Sequence, residues 1–177
     1  MLKVQAGDLE AFEQLVERYQ SMVYGLSLSI LRAPEDAEEA AQDTFIKLFR
    51  AKDRYDVGRD LEPWLLRIAG NTCRDMLRRR RAASLPSLSR IDEEATQLVA
   101  DPQTSPSQQR VGVEQLVRTE LERLSEKVRL PLELKYMRGL TNQQIAAALG
   151  ISISNVKVQV ARAKDIMQSR LERVMEA

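Results

Sequence analysis

Residues 140–164 read LTNQQIAAALGISISNVKVQVARAK, two short helical periods on either side of a glycine. Thr141 is placed to cap the first helix, in which Ile145, Ala146 and Leu149 share the inward face. Gly150 supplies a left-handed turn without a steric penalty, and Ser152 or Ser154 starts a second helix whose inward face is Val156 and Val160. The small Ala146 opposite the turn lets the two helices pack at a steep angle, so the stretch predicts a helix-turn-helix. Such an arrangement projects Ser154, Asn155, Lys157, Val158 and Gln159 toward a major groove and lets Arg162 and Lys164 reach phosphates. Thr141 and Ser152, at the two helix starts, are counted with the same duplex-facing set.

The remainder of the 177 residues is helical in pattern as well, with no strand signal and no internal repeat. Asp8 can cap a long helix ending near Leu31, in which Phe12, Leu15, Tyr19, Val23, Leu26 and Ile30 recur at three- and four-residue steps. Pro34 opens a second helix with Ala37, Ala41, Phe45, Leu48 and Phe49 on its apolar stripe. Its other face is acidic: residues 35–46 contain five acids and no base, more than the helix dipole requires. KDRYDVGRDLEP (52–63) reads as a loop leading to a third helix from about Pro63 to Arg81. There Leu65, Ile68, Ala69, Thr72, Cys73, Met76 and Leu77 make the inward stripe and leave Arg67, Asn71, Arg74 and Arg78 facing elsewhere. Trp64, at the entrance of that helix, is either a core residue or a platform for stacking a base.

Residues 82–106 hold three prolines and four serines with no sustained period, the composition of an interdomain linker. The expected organisation is therefore all-α: a domain at 1–82, a flexible linker at 83–112, and a helix-turn-helix domain at 113–177. In the second domain Ser125 can cap a helix that Pro131 should kink or split near Leu130 and that should stop at Gly139.

Composition narrows the function. With no histidine and one cysteine, Cys73, the chain has no internal disulfide, no credible zinc set and no histidine-activated nucleophile, so no enzyme activity and no metal or other cofactor are expected. No apolar run nears the roughly 20 residues that span a bilayer, so no membrane insertion is expected, and without a signal-peptide pattern a cytoplasmic protein is. The net charge of +1 conceals alternating blocks: −4 over residues 1–60, +5 over 61–90, −4 over 91–133 and +4 over 134–177. Basic blocks suit phosphate, whereas acidic ones repel DNA and suit a basic protein partner.

Four motifs, in order, now carry a resemblance. GDLEAFEQLVERY, PEDAEEAAQDTFIKLF, WLLRIAGNTCRDMLRRRR and the helix-turn-helix stretch resemble, respectively, the N-terminal helix, the core-polymerase-binding helix, the promoter-melting helix and the fourth conserved region of bacterial sigma factors of the extracytoplasmic-function group, within the sigma-70 family. The resemblance implies that the acidic helix docks on core RNA polymerase through Asp36, Glu39, Gln42 and Asp43, with Phe45 supporting them from the core. It implies that Trp64, Arg67, Asn71, Arg74, Arg78 and Arg79 hold the promoter element nearer the start site as an opened strand, with Asn71 at the pocket for an extruded base. The helix-turn-helix would read the more distant promoter element as duplex DNA, and an anti-sigma factor, often membrane-anchored in this group, would hold the protein inactive. Gly70 departs from the family, which has a larger residue there. In mid-helix it costs roughly 0.5–1 kcal/mol relative to alanine, and it marks either a close approach of DNA or nothing. The competing reading is a regulator with a helix-turn-helix like those of the LuxR class, acting without polymerase; it leaves the basic block at 67–81 without a purpose.

Overall fold

The computed structural model describes residues 1–84 and 113–175, and among these the secondary structure is helical with no strand. In chain order the helices are α1 (Leu2–Gln5), α2 (Leu9–Leu31), α3 (Pro34–Arg50), α4 (Leu61–Ser84), α5 (Val113–Glu122), α6 (Glu126–Tyr136), α7 (Asn142–Leu149) and α8 (Ile153–Met175), with one 3-10 turn at Lys52–Arg54. Of the expected flexible linker, Ala83 and Ser84 continue α4, and residues 85–112 lie outside the described residues.

In the N-terminal half α2, α3 and α4 pack against one another. The Asp8 side chain accepts from the Ala11 amide at 3.0 Å and starts α2, while α3 starts with Pro34 and has no side-chain cap at Ala33. The predicted stripes meet in the middle: Leu26, Leu48, Leu65, Ala69 and Cys73 are buried, and the Cys73 thiol lies 3.5 Å from Ser27 Oγ. Burial pushes that thiol up from its usual pKa, which suits a packing residue rather than a nucleophile. α1, which the periodicity did not predict, is tied to the 3-10 turn: Gln5 donates to the Lys52 and Tyr55 carbonyls, and Lys52 Nζ donates back to the Gln5 carbonyl, each at 2.9 Å.

The third predicted helix begins at Leu61, two residues before Pro63, because a proline is tolerated in a first turn where its missing N–H has no partner to lose. Pro131 corrects the expectation of a split near Leu130. Helix α6 runs unbroken from Glu126 to Tyr136 with Pro131 buried inside it. The carbonyl deprived of its bond belongs to Lys127, an exposed residue, where water can satisfy it. Ser125 stands at the N-cap of α6 with no side-chain bond, and the helix ends at Tyr136, three residues before Gly139.

In the C-terminal half α8 packs on α5, α6 and α7. Leu134, Ile145, Val156 and Ala163 are fully buried there. Glu120, 3% exposed on α5, pairs with Arg123 at 2.5 Å and with Arg170 of α8 at 3.5 Å, a buried acid held by two guanidinium groups.

The two halves also touch. Helix α4 packs along α7, α2 packs on α6, and the buried apolar residues of both halves form one continuous cluster. The two domains thus lie together.

Candidate nucleic-acid interface

The helix-turn-helix forms as its local chemistry requires. Thr141 Oγ1 accepts from the Gln144 amide at 3.2 Å, and Gln144 Oε1 accepts from the Thr141 amide at 2.8 Å, a reciprocal capping box. Gly150 sits at φ 69°, and its amide closes α7 on the Ala146 carbonyl at 2.9 Å. Of the two candidate starters of the next helix it is Ser152 that caps, accepting from the Asn155 amide at 3.1 Å. Val156 and Val160 are buried as the spacing predicts.

On the outer side of α8, Ser154, Lys157, Val158 and Arg162 are exposed, Val158 by 62% although it is apolar. An exposed valine among polar residues on a helix set out by a left-handed turn is available to a thymine methyl. Two predicted readers differ from this set. Gln159 is buried and donates to Asn155 Oδ1 at 3.1 Å, so Gln159 stands behind the reading face and orients Asn155 upon it. Lys164 is exposed and lies 5.5 Å from the Tyr136 ring, a cation–π contact that holds its stem against α6.

Along α4, Trp64, Arg67, Asn71, Arg74 and Arg78 follow one another at three- and four-residue steps, which places them on one face. Arg67, Asn71, Arg78 and Arg79 are exposed. Trp64 is half-buried with its ring 5.0 Å from that of Tyr55 and tilted to it by 43°. Arg74 is half-buried: Nη2 donates to Asn71 Oδ1 at 2.6 Å, Nη1 donates to the Ala148 carbonyl at 3.0 Å, and burial pulls its pKa down from the usual arginine value.

On α3, Glu35, Glu38, Glu39 and Gln42 form an exposed polar stripe, with Asp43 half-buried and Phe45 only 7% exposed beneath it. Asp36 is paired with Arg80 of α4, which turns it from the open stripe toward the neighbouring helix. The sequence reading missed Ile46. It is 48% exposed and follows Glu39 and Gln42 by seven and four residues, an apolar residue at the end of the acidic stripe. The signal was present, since Ile46 falls outside the apolar set 37, 41, 45, 48 and 49.

Comparison with known proteins agrees with this layout. The sigma-70 region 2 model matches residues 15–83 and the sigma-70 region 4 model matches residues 114–167. The chain is 28% identical to the ECF RNA polymerase sigma factor SigW of Bacillus subtilis, over 96% of this chain and 93% of that protein. It is also 28% identical to the ECF RNA polymerase sigma-E factor of Escherichia coli, over 96% and 91%. Among solved structures it is similar to CnrH in complex with the cytosolic domain of CnrY, with a TM-score of 0.65, 26% identity and coverage of 97% and 94%. The fold is also that of the sigma factor RpoE in its complex with the anti-sigma factor NepR from Bartonella quintana, with a TM-score of 0.67, 22% identity and coverage of 92% and 98%. The helix-turn-helix, the acidic helix and the arginine-bearing helix thus lie in the order and within the matched regions of one family: this chain belongs to the sigma-70 family, in its extracytoplasmic-function group, and is an alternative sigma factor.

Proposed function

We propose that this sigma factor docks on core RNA polymerase through the acidic stripe of α3, opens and holds a promoter strand along the Trp64–Arg79 face of α4, and reads duplex DNA with α8. It does no chemistry itself and acts in the cytoplasm, where polymerase and promoters are. The observation that carries the reading is the division of surfaces. One chain presents an exposed acidic stripe, an exposed arginine face and an exposed recognition helix on three separate helices. Acids facing DNA would repel phosphate, so α3 needs a protein partner, while arginines and Asn71 offer charge and hydrogen bonds to an unstacked strand. Within the docking set, Glu39 and Gln42 make direct contact, Ile46 adds apolar area beside them, and Phe45 positions the helix from beneath. Within the reading set, Ser154, Lys157 and Val158 face bases, Asn155 is oriented by Gln159, and Arg162 and Lys164 meet phosphate together with the helix starts at Thr141 and Ser152. The domain division follows the same assignment, with the docking and strand-holding domain ending near residue 82 and the duplex-reading domain starting near 113. An anti-sigma partner would act by covering α3 or the helix-turn-helix.

Run-off transcription from genomic fragments with purified core polymerase tests this directly. New discrete transcripts that require both polymerase and this chain are expected; sequence-specific DNA binding by the chain alone, with no new transcript, would instead establish a polymerase-independent regulator. Glu39→Arg with Asp43→Arg should abolish polymerase binding while leaving the helical content unchanged, and retained binding would remove α3 from the docking surface.

A further inference from the structure

Helix α4 has a second buried face. Glu62, Leu66, Gly70 and Arg74 follow one another at four-residue steps, a single ridge beside the strand-holding face, and they share Arg74 with it. Leu66 is fully buried and Gly70 is buried. At the start of the ridge Glu62 accepts from Gln144 Nε2 of α7 at 2.5 Å. In its middle, a Cβ placed on Gly70 would lie 1.8 Å from the Ala148 carbonyl oxygen and 2.8 Å from its carbon, so the two backbones meet only because residue 70 has no side chain. At its end Arg74 donates to that same carbonyl. Ala148 lies in the last turn of α7, where carbonyls lack helical partners and the dipole is negative, so a guanidinium there is doubly favourable.

The mid-helix glycine therefore has a reason other than DNA: it admits α7. The arrangement also uses up groups assigned to the promoter strand. Arg74 is divided between Ala148 and Asn71, and the edge of α4 beside Asn71 is covered by α7. A second tie forms on α2 and α6, where Arg32 pairs with Glu133 at 3.2 Å and Arg138 donates to Ser29 Oγ at 3.2 Å. These perimeter contacts are polar pairs that water can replace at small net cost, which suits a seam that opens. The recognition residues Ser154, Lys157 and Val158 stay exposed, as do Arg67, Asn71, Arg78 and Arg79, so closure takes from the strand-holding face only Arg74 and the edge beside Asn71.

We propose that the α4–α7 seam is an autoinhibitory contact within the chain, in which the first helix of the helix-turn-helix occupies the ridge of α4 beside the strand-holding face and ties up Arg74, which the open form would offer to the promoter strand, with Gly70 as the residue that permits closure. The inference rests on the functional reading above for its effect on transcription, but the seam itself is physical and can be read without polymerase.

The test uses the full-length chain in four forms: wild type, Gly70→Ala, Gln144→Glu, and Gln144→Glu with Glu62→Gln. Gln144→Glu keeps the acceptor of the capping box and sets a carboxylate against Glu62; the double variant restores an amide–carboxylate pair with the partners exchanged. Small-angle scattering should give wild type and the double variant the same compact radius of gyration, against about 16 Å for a fully compact chain of this length, and should give the two single variants a radius larger by several ångströms. Circular dichroism should remain that of wild type in all four. In run-off transcription at limiting protein, the two open variants should outperform wild type by the reciprocal of its open fraction, about tenfold where one molecule in ten is open. The double variant should return to the wild-type level. Scattering of Gln144→Glu and Gly70→Ala indistinguishable from wild type would overturn the seam as the closing contact. Expansion with unchanged transcription, from a wild type that does transcribe, would overturn its inhibitory role. Silence from all four forms would instead strike the reading of the chain as a polymerase subunit, and with it the seam's effect on transcription, while scattering still decides whether the seam closes the chain.

Discussion

Helix α4 is held on two sides, and the sides differ in kind. Toward α2 and α3 it presents Leu65, Ala69, Thr72, Cys73 and Met76, all buried, with the polar members satisfied: Thr72 accepts from Lys47 Nζ at 3.0 Å and Cys73 meets Ser27. Toward α7 it presents Glu62, Leu66, Gly70 and Arg74, one large apolar residue between two charged ends and a bare stretch of backbone. The first seam draws its stability from burying apolar area, which nothing in the cell replaces. The second also buries Leu66 and joins the apolar cluster of the other half, but it adds a bare backbone contact at Gly70 and polar pairs at its rim, for which water or phosphate can substitute. One helix can thus belong permanently to one partner and provisionally to another, because stability depends on what each ridge buries rather than on the helix.

The largest effect should separate neighbouring leucines. Leu65→Ala removes a fully buried side chain from the permanent seam and should lower the unfolding free energy by about 2–5 kcal/mol, seen as a shift of the urea midpoint. Leu66→Ala, one residue along and equally buried, should cost less in that measurement and more in compactness, because its ridge faces α7. Equal losses in stability with no expansion would erase the distinction between the seams. Next in size, Thr141→Ala removes the capping box of α7 and should cost about 0.5–2 kcal/mol, with amide exchange rising in α7 but not in α2 or α3.

A smaller effect concerns pH. Glu133, which reaches Arg32 across the rim and Arg129 on its own helix, has its carboxyl held above the ordinary range because burial outweighs the guanidinium groups of Arg129, Arg32 and Arg138. A raised carboxyl binds its proton more tightly folded than unfolded, so this contribution to stability is complete below the ordinary carboxylate value of about 4.3. It is lost as pH climbs through the folded value. Glu133→Gln should flatten that part of the melting temperature against pH, and an unchanged profile would refute the assignment. Smallest of all in energy is a chemical readout. Alkylation of Cys73 at pH 8 should be slow in wild type and equally slow in Gln144→Glu, since opening toward α7 leaves the permanent seam shut. Faster labelling in the variant would mean that the two seams unfold together.

Much of this was legible from residue spacing. The apolar stripes of α2, α3 and α4, the capping residues Asp8 and Thr141 and the turn at Gly150 are local signals, and the structure uses them as read. What escaped was the second ridge of α4. Its marks are a leucine and a glycine four residues apart, too few to outweigh the seven-residue inward stripe on the same helix. Its partner on α7, Ala148, looks like filler beside Ile145 and Leu149 until something packs on it. Contacts between segments far apart in sequence leave no periodicity of their own, and for the same reason Gln159 read as a base reader although it lies buried. Pro131 misled in the opposite direction, because a local rule about helix breaking yields when the deprived carbonyl belongs to an exposed residue and the ring is buried.

Gly70 has an evolutionary consequence as well. Every other amino acid at that position adds the Cβ that Ala148 excludes, so a single codon change disrupts the closed form while the residues of the core and the recognition helix stay as they are. Loss of closure is one mutational step away in any lineage, and alanine there would even improve the helix. A glycine retained at position 70 against that gradient would be the signature of selection for a chain that stays shut until needed.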